Sequence, residues 1–496
     1  MKRTGFILTS VILISLFVML LQAQAQQPPQ PVQPIQKAQI KVPQQIITQS
    51  IAKLRGPEMM KYLNKQVIIE GFYYDGSIPM IVDDFQRVYM NMMMPPESYM
   101  AIVGPRPAGL KWGDKIVVTG TLSKPTAADL RYVQVESVII RLMNPQNLKI
   151  LKPGGSLKTP KLIIQPPIKI QEEKLAGLTP QKYALLIAGG GNPANNHVRY
   201  WNDLKAMYNI LLTYGYAKGN IAVICADGVG RDTTMPVNYS ATAANIAAVF
   251  NILAKKMTDK DTLYIMINNH GGGFQDKQIG PYSPGLHGGA IDTNGDEGSE
   301  NIQESVYKLD LNKDGDQKDI VSVDETFTLW GAPMTDDAFA AEVNKITRYA
   351  EMIIQMEQCF SGGFISDLTG PRRTIMSAAS PTEPSWAHKD LQYNEFTYWY
   401  FAALIGSKPD ESGAVNADSD KNGKVSILEA YNFARSNDSR SETPFFEDDG
   451  VNPAHSGPVP AGGDGTRSAN IYLGDIPLSK IEKIRKELGI KLGALI

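Results

Sequence analysis

From about residue 180 the chain alternates continuous apolar runs with stretches whose apolar positions recur at helical spacing. "KYALLIAGGG", "NIAVICAD" and "DTLYIMINNHGGG" are short apolar runs bounded by polar or glycine-rich turns, the pattern of strands buried on both faces. "VRYWNDLKAMYNILLTYGY", ending near Gly215, and "SATAANIAAVFNILAKKM" read as helices, and "KITRYAEMIIQMEQCFSGG" as a helix-to-strand unit. This alternation predicts an α/β domain over 178–475 with a mostly parallel sheet, whose ligands would sit at the carboxyl ends of the strands. Upstream the period changes. "KQVIIEGFYYDG", "SIPMIVDD", "ESYMAIVGP", "GDKIVVTGTLS" and "RYVQVESVIIRL" are short β-rich runs separated by Gly, Pro and Asp, and predict a small five-stranded antiparallel barrel over 51–147. Two segments rich in Pro, 26–50 and 148–177, cannot build a core and read as linkers on either side of it. Residues 476–496 read as a C-terminal helical tail.

Composition narrows the function classes. With 496 residues, 43% of them hydrophobic, the chain can bury more than one core. Its formal net charge is −2, so no broad basic surface argues for nucleic acid. The first residues, "MKRTGFILTSVILISLFVMLLQAQAQQ", place Lys2 and Arg3 before an apolar run from Phe6 to Leu21 and the small-residue site Ala23-Gln24-Ala25, which predicts a signal peptide over 1–25. The apolar run is short for a bilayer span, so the expectation is a secreted or periplasmic protein with no stable membrane span after cleavage. The other reading is an uncleaved anchor. Two cysteines, Cys225 and Cys359, are too few for a disulfide scaffold. Cys225 ends an apolar strand and reads as a small buried hydrophobe.

Cys359 invites a chemical role. A thiol becomes a useful nucleophile beside a base, usually histidine. Of five histidines, His197 and His388 fall in polar stretches, His287 in a Gly/Pro loop and His455 near the end of the chain. Only His270 closes an apolar strand, and the glycines behind it let a substrate backbone approach. A histidine and a cysteine, each at a strand end and each followed by glycine, make a candidate dyad.

These residues carry a resemblance. The order "ALLIAGGG", "SATAANIAAVFNILAKKMTDKDTLYIMINNHGGG", "MEQCFSGGFI" and "RRTIMSAASPTEPSW" resembles the caspase-fold cysteine peptidases, closest to the legumain-like branch. "NEFTYWYFAAL" and "ETPFFEDDG" extend the likeness, which covers about 180–474. It implies a caspase-like α/β/α sandwich, with Cys359 as nucleophile, His270 as proton shuttle and the backbone N–H groups of Gly271 and Cys359 as the oxyanion site. It also implies that Glu357 and Arg199 line the substrate pocket. Glu357 would favour Arg or Lys before the scissile bond, whereas both signs together would suit a neutral amide such as Asn. Arg199 has an alternative as a surface ion pair near Asp203. "NNHGGG" departs from the Gly or Asp that relatives more often place before the histidine. The "GDKIVVTGTL" hairpin followed by "YVQVESVII" resembles bacterial OB-folds; without a basic and aromatic stripe, an accessory or docking role is expected.

"DSDKNGKVSILE" matches the twelve-residue EF-hand calcium loop. Asp418, Asp420 and Asn422 would supply oxygens, Lys424 its carbonyl, Ser426 a contact through water, and Glu429 a bidentate carboxylate. Partial matches at Asp310, Asn312 and Asp314, and at Asp292, Asn294 and Asp296, lack a closing carboxylate and are either variant calcium loops or Asp/Gly turns. The expectation is an exported, calcium-stabilised cysteine endopeptidase acting on peptides or proteins, with no organic cofactor. The alternatives are a transpeptidase or ligase with the same dyad, and a non-catalytic calcium-dependent binding or scaffold protein.

Overall fold

The computed structural model describes residues 47–153, 179–273, 305–309, 319–381, 383–448, 450 and 465–490, apart from 76–77, 92, 127–128, 130–137 and 324. The signal segment, residues 26–46 of the first linker and the partial calcium loops at Asp292, Asn294, Asp296, Asp310, Asn312 and Asp314 lie outside the described residues, as do His287 and His455; the end of that linker is structured instead, with Ile47–Thr48 a short strand and Ser50 capping the Ile51–Arg55 helix.

Five strands of the N-terminal part close a barrel: β2 (Gln66–Asp75), β3 (Pro79–Val82), β4 (Tyr99–Val103), β5 (Lys115–Ser123) and β6 (Ile139–Arg141). They pair around the ring in the order β2-β3-β4-β6-β5, with β5 returning to β2. A short β1 (Ile47–Thr48) adds to β2. The expected all-antiparallel ring needs one correction, because β4 and β6 run parallel. The chain crosses the barrel through β5 between them and returns in β4's direction. The second linker also begins later than expected. Leu148–Lys152 forms β7 on β5, with only Leu148 turned inward, so a Lys-rich edge strand passes for linker.

In β2 the alternation of buried Val67, Ile69 and Gly71 breaks at Tyr73 and Tyr74, which are both buried. Tyr73 faces the barrel interior with Ile81, Met100 and Val118. Tyr74 points outward, yet it packs with Met80, Val82 and Trp112 against Ala194, Val198, Ala387 and Leu391 of the α/β part. One outer face of the barrel is therefore a second core.

Six strands form the α/β sheet, in the order β18-β17-β16-β10-β8-β9: β8 (Lys182–Ala188), β9 (Ile221–Cys225), β10 (Thr262–Ile267), β16 (Glu351–Met356), β17 (Arg373–Ser377) and β18 (Phe445–Glu447). All pairs are parallel except β17–β18. Alternate residues of β8 feed opposite cores. Ala184, Leu186 and Ala188 meet the Val198–Thr213 and Glu395–Ile405 helices, and Leu185 and Ile187 meet the Ala243–Lys256 helix. Burial on both faces explains why these strands read as unbroken apolar runs. The "KITRYAE" stretch is not helical. The helix lies upstream at Asp336–Val343, where Thr335 accepts from Ala338 N and two aspartates occupy the first turn.

Candidate active site

β10 and β16 are neighbours in parallel register, with Ile267 opposite Met356. His270 and Cys359 each follow those residues by three positions, so the sheet brings them to one end side by side. Gly271 and Gly272 form β11 against Phe327 and Thr326 of β14 (Thr326–Thr328), and His270 O accepts from Thr328 N at 2.9 Å, which fixes the histidine's backbone. A Cβ on Gly271 would fall 2.0 Å from Cys359 O, so only glycine permits this approach. Phe360, directly after the cysteine, is left-handed at φ 61°, a strained turn that redirects the chain behind the thiol.

Both members of the pair are buried. His270 Nε2 lies 2.7 Å from Asn195 O. A carbonyl can only accept, so Nε2 carries the proton and Nδ1 keeps its lone pair. Nδ1 has no hydrogen-bond partner. Burial, helped by the Arg199 charge, pushes the imidazole pKa down to about 3, while the backbones of Asn195 and Asn91 pull the other way. Cys359 Sγ accepts from Ser385 N at 3.3 Å, and burial pushes its pKa up to about 12. Thiol and imidazole are thus both held neutral by burial, and the imidazole keeps a free lone pair on Nδ1, the form a general base needs.

The cleft holds a side chain from the barrel. Asn91 is fully buried, and every hydrogen-bonding capacity of its amide is met. Its Oδ1 accepts from Arg199 Nε (3.0 Å), Arg199 Nη2 (2.7 Å) and Tyr200 OH (3.0 Å). Its Nδ2 donates to Ser385 Oγ (2.9 Å), Asn394 Oδ1 (3.0 Å) and Glu357 O (3.4 Å). One end of the pocket is therefore all donors and the other all acceptors, a match for a carboxamide and a mismatch for a cation or a carboxylate. Asn91 O accepts from Gly271 N at 3.0 Å. The same amide approaches Cys359 Sγ, so the Asn91 carbonyl sits beside the thiol.

The structure brings Cys359, His270, Gly271 and Arg199 together around Asn91. Arg199 is not on the surface near Asp203; it is fully buried and also donates to Val88 O (2.9 Å) and Met90 O (3.2 Å). Asp203 is buried as well, accepting from Asn268 Nδ2 and Asn394 N, with burial raising its pKa well above the carboxylate range. Glu357 reaches the occupant through its carbonyl. Its carboxylate turns to Gln355, accepting from Nε2 at 3.2 Å, and burial pushes its pKa up to about 8. One residue past the end of β16, Glu357 thus meets the Asn91 amide through its backbone carbonyl, while its carboxylate is held by Gln355, where the expectation had its charge meeting the substrate.

Two histidines expected in polar loops are buried too. The Tyr74 hydroxyl of the barrel covers His197 Nδ1 at 2.6 Å, and His388 stacks on Tyr398 at 4.1 Å. The "NN" before His270 has a purpose: Asn269 Oδ1 accepts from Gly189 and Gly190 N, and Asn268 links Asp203 to Asn394. Sequence reasoning missed Asn91, Tyr200, Ser385 and Asn394. Tyr200 follows Arg199, and Asn394 opens the quoted "NEFTYWYFAAL" helix, so both were within reach; nothing in "YMNMMMPP" marks Asn91. Cys225 is a free, buried thiol at the end of β9.

Away from the cleft, Asp418, Asp420 and Glu429 converge, with one carboxylate oxygen from each within 4.8 Å of the others. Asp418 Oδ1 is buried without a partner, and Gly423 turns the loop at φ 84°. Glu429 also closes a capping box with Ser426 at the start of the Ile427–Asn437 helix. Asn422 Nδ2 reaches Asp420 Oδ2 at 2.7 Å, and the Lys424 ammonium pairs with Asp475. Three converging carboxylates with an orphaned oxygen fit a hard divalent cation.

Residues 320–451 match the model of the Peptidase C13 family, which supports the legumain-like branch and a cysteine peptidase or transpeptidase. The matched span contains Cys359, Glu357, Ser385 and Asn394; His270, Arg199 and the barrel lie outside it. No curated protein matches the chain. A structural-genomics protein from Geobacter sulfurreducens is similar at 13% identity, over 54% of this chain and 92% of that one, with a TM-score of 0.32, too slight a likeness to bear on function.

Proposed function

We propose that this chain is an exported cysteine endopeptidase that cleaves on the carboxyl side of asparagine. One observation carries the choice of residue: an asparagine amide fills the pocket beside the dyad with donors on its oxygen and acceptors on its nitrogen. Arginine and lysine, the other candidates from sequence, would place a cation against the Arg199 guanidinium in a dry pocket. In the reaction, Cys359 Sγ attacks the carbonyl carbon and its proton passes to His270 Nδ1. The oxyanion takes the Gly271 N–H, and the imidazolium then protonates the leaving amine. Water attacks the thioester, His270 removes its proton, and the thiol is restored. Asn195 O holds the imidazole in the tautomer this sequence needs. An amine in place of water would give transpeptidation, and mass spectrometry of products with added amine separates the two.

Calcium would be held by the carboxylates of Asp418, Asp420 and Glu429, the amide oxygen of Asn422 and the carbonyl of Lys424, with Ser426 acting through water. Its contribution would be charge neutralisation that fixes the loop before the Ile427–Asn437 helix. That helix packs on Glu395–Ile405, whose cap is the pocket residue Asn394. The barrel's ring order fits an OB-like docking module, and Lys2, Arg3 and the apolar run behind them support export. The test is a matched peptide series with Asn, Asp, Gln, Arg or Lys before the scissile bond. Asn should exceed Arg at least about a hundredfold in kcat/KM, the scale at which a site built for a hydrogen-bonding group rejects its mismatch; equal or faster cleavage after Arg overturns the assignment.

A further inference from the structure

Residues Val88 to Asn91 lie along the dyad as a substrate would, and Met94 is held beyond it. Ala387 N donates to Tyr89 O at 2.7 Å and Asn91 N to Ser385 O at 3.1 Å, and Met90 bridges Trp386 in antiparallel fashion. Together these extend a two-stranded ladder leading to the thiol, the mode in which an extended peptide adds to a strand edge. Arg199 holds the carbonyls of Val88 and Met90, and Asn91 fills the pocket with its carbonyl oxygen on Gly271 N. Beyond Asn91 the chain is caught again. Met94 is buried, and its N–H donates at 2.9 Å to Asn195 Oδ1, the residue whose carbonyl orients His270. The strand edge, pocket, oxyanion donor and far-side anchor are thus all engaged by one stretch of the protein's own barrel.

We propose that the chain is its own first substrate: the barrel segment blocks the cleft until Cys359 cleaves the peptide bond on the carboxyl side of Asn91. The proposal rests on the function given above. Cys359 Sγ bonds to the Asn91 carbonyl carbon and the bond to the following nitrogen breaks, with the thiol proton carried by His270 to the new amine of Met92. Water then hydrolyses the thioester, leaving an Asn91 carboxylate and the free thiol. Because the Asn91 carbonyl is already held on Gly271 N beside the nucleophile, the step is intramolecular and gains the rate advantage of fixed proximity. The neutral, fully covered thiol suits a latent state: no second peptide can enter while Asn91 occupies the pocket. Strands β2 and β3 lie before the cut and β4, β5 and β6 after it, so the nicked barrel stays associated and only a denaturing readout reveals the cut.

The test is denaturing mass spectrometry of the purified full chain over time, at two protein concentrations tenfold apart, beside a peptidase assay on an Asn-containing peptide in trans. Expected are fragments ending at Asn91 and beginning at Met92, formed at a rate independent of concentration, with peptidase activity rising in step. Cys359→Ala should remain uncut and keep the wild-type melting temperature. Asn91→Gln should slow the cut by about tenfold or more, since one extra methylene displaces the carbonyl from the sulfur. If Asn91→Gln does not fold, the Cys359→Ala comparison still decides. An intact chain that cleaves Asn peptides in trans overturns self-cleavage and leaves the function standing. Cutting at the same bond in Cys359→Ala also overturns it, since another protease is then responsible. An intact chain that neither cleaves Asn peptides nor is labelled at Cys359 by an Asn-peptidyl electrophile after Asn91→Ala has emptied the pocket removes both.

Discussion

Glu357 is two residues from the nucleophile, yet its carboxyl is buried away from the pocket occupant, so Glu357→Gln separates stability from specificity. The carboxyl moves from an ordinary value of 4.5 to about 8 on folding, with burial the dominant cause. Below pH 4.5 the folded and unfolded chains both hold the proton and there is no cost. Between 4.5 and 8 only the folded chain holds it, so stability falls as pH rises; above 8 the full penalty is present. At roughly 1.4 kcal/mol per pH unit, the penalty reaches about 3 kcal/mol at pH 7 and about 4–5 kcal/mol at pH 8. Glutamine has nearly the shape of the protonated acid, can accept from Gln355 Nε2, and carries no proton to lose. Asp438, raised to about 7, and Glu442, raised well above its usual range, add slopes of the same sign; because their charges and that of Glu357 repel one another, the difference between the two proteins reads Glu357 together with its coupling to both. The assay is urea unfolding at pH 5, 6, 7 and 8, in a Cys359→Ala background so that the chain stays whole. The variant should match the parent at pH 5 and exceed it progressively toward pH 8. With Cys359 intact, the residue preferred before the scissile bond should not change. Parallel pH profiles of stability would refute the buried, protonated carboxyl, and a switch in preferred residue would return its side chain to the pocket.

Tyr200→Phe removes one neutral donor from the pocket amide and should lower kcat/KM on Asn peptides by roughly 3–10-fold, the worth of one hydrogen bond, while leaving hydrolysis of a non-peptide thiol-reactive ester unchanged. Arg199→Gln removes two charge-assisted donors and the support of two carbonyls, and should cost about a hundredfold or more in the same steady-state assay. Cys225→Ala, in a small apolar niche at the end of β9, should retain activity in that assay, with a modest loss of melting temperature. Chelation should lower the melting temperature of the α/β part, by the equivalent of about 2.7 kcal/mol when calcium had exceeded its Kd a hundredfold; Glu429→Gln should blunt that response in scanning calorimetry.

The parallel sheet was legible because strands buried on both faces are continuous apolar runs, and "LYIMI" and "MIIQM" cannot be amphipathic. Thr335 capping a helix was not, since the apolar spacing of "KITRYAEM" imitates one. That His270 and Cys359 come to the same end of the sheet was readable from residue type at strand ends. The pocket was only half readable: Arg199 and Glu357 were named, but which atom faces inward depends on the pleat and on what covers it, and for Glu357 the carbonyl faces in while the carboxyl faces away. Asn91 was invisible because its role comes from the packing of the barrel on the α/β part through Tyr74, Met80 and Val82, whose burial on the barrel's outside a single-strand pattern does not reveal. A Lys-rich edge strand at Leu148–Lys152 was mistaken for linker for the related reason that only one of its residues is turned inward.

The most direct measurement is covalent capture of the protein, after the incubation in which its cleft is expected to clear, with an electrophile carried on an Asn peptide, read by intact mass and peptide mapping. A single adduct on Cys359 is predicted, absent in Cys359→Ala and strongly slowed in His270→Ala, and much slower when Arg replaces Asn in the probe. Labelling of Cys225 instead, no labelling at all, or equal capture by the Arg probe would contradict the assignment of an asparagine-directed cysteine peptidase.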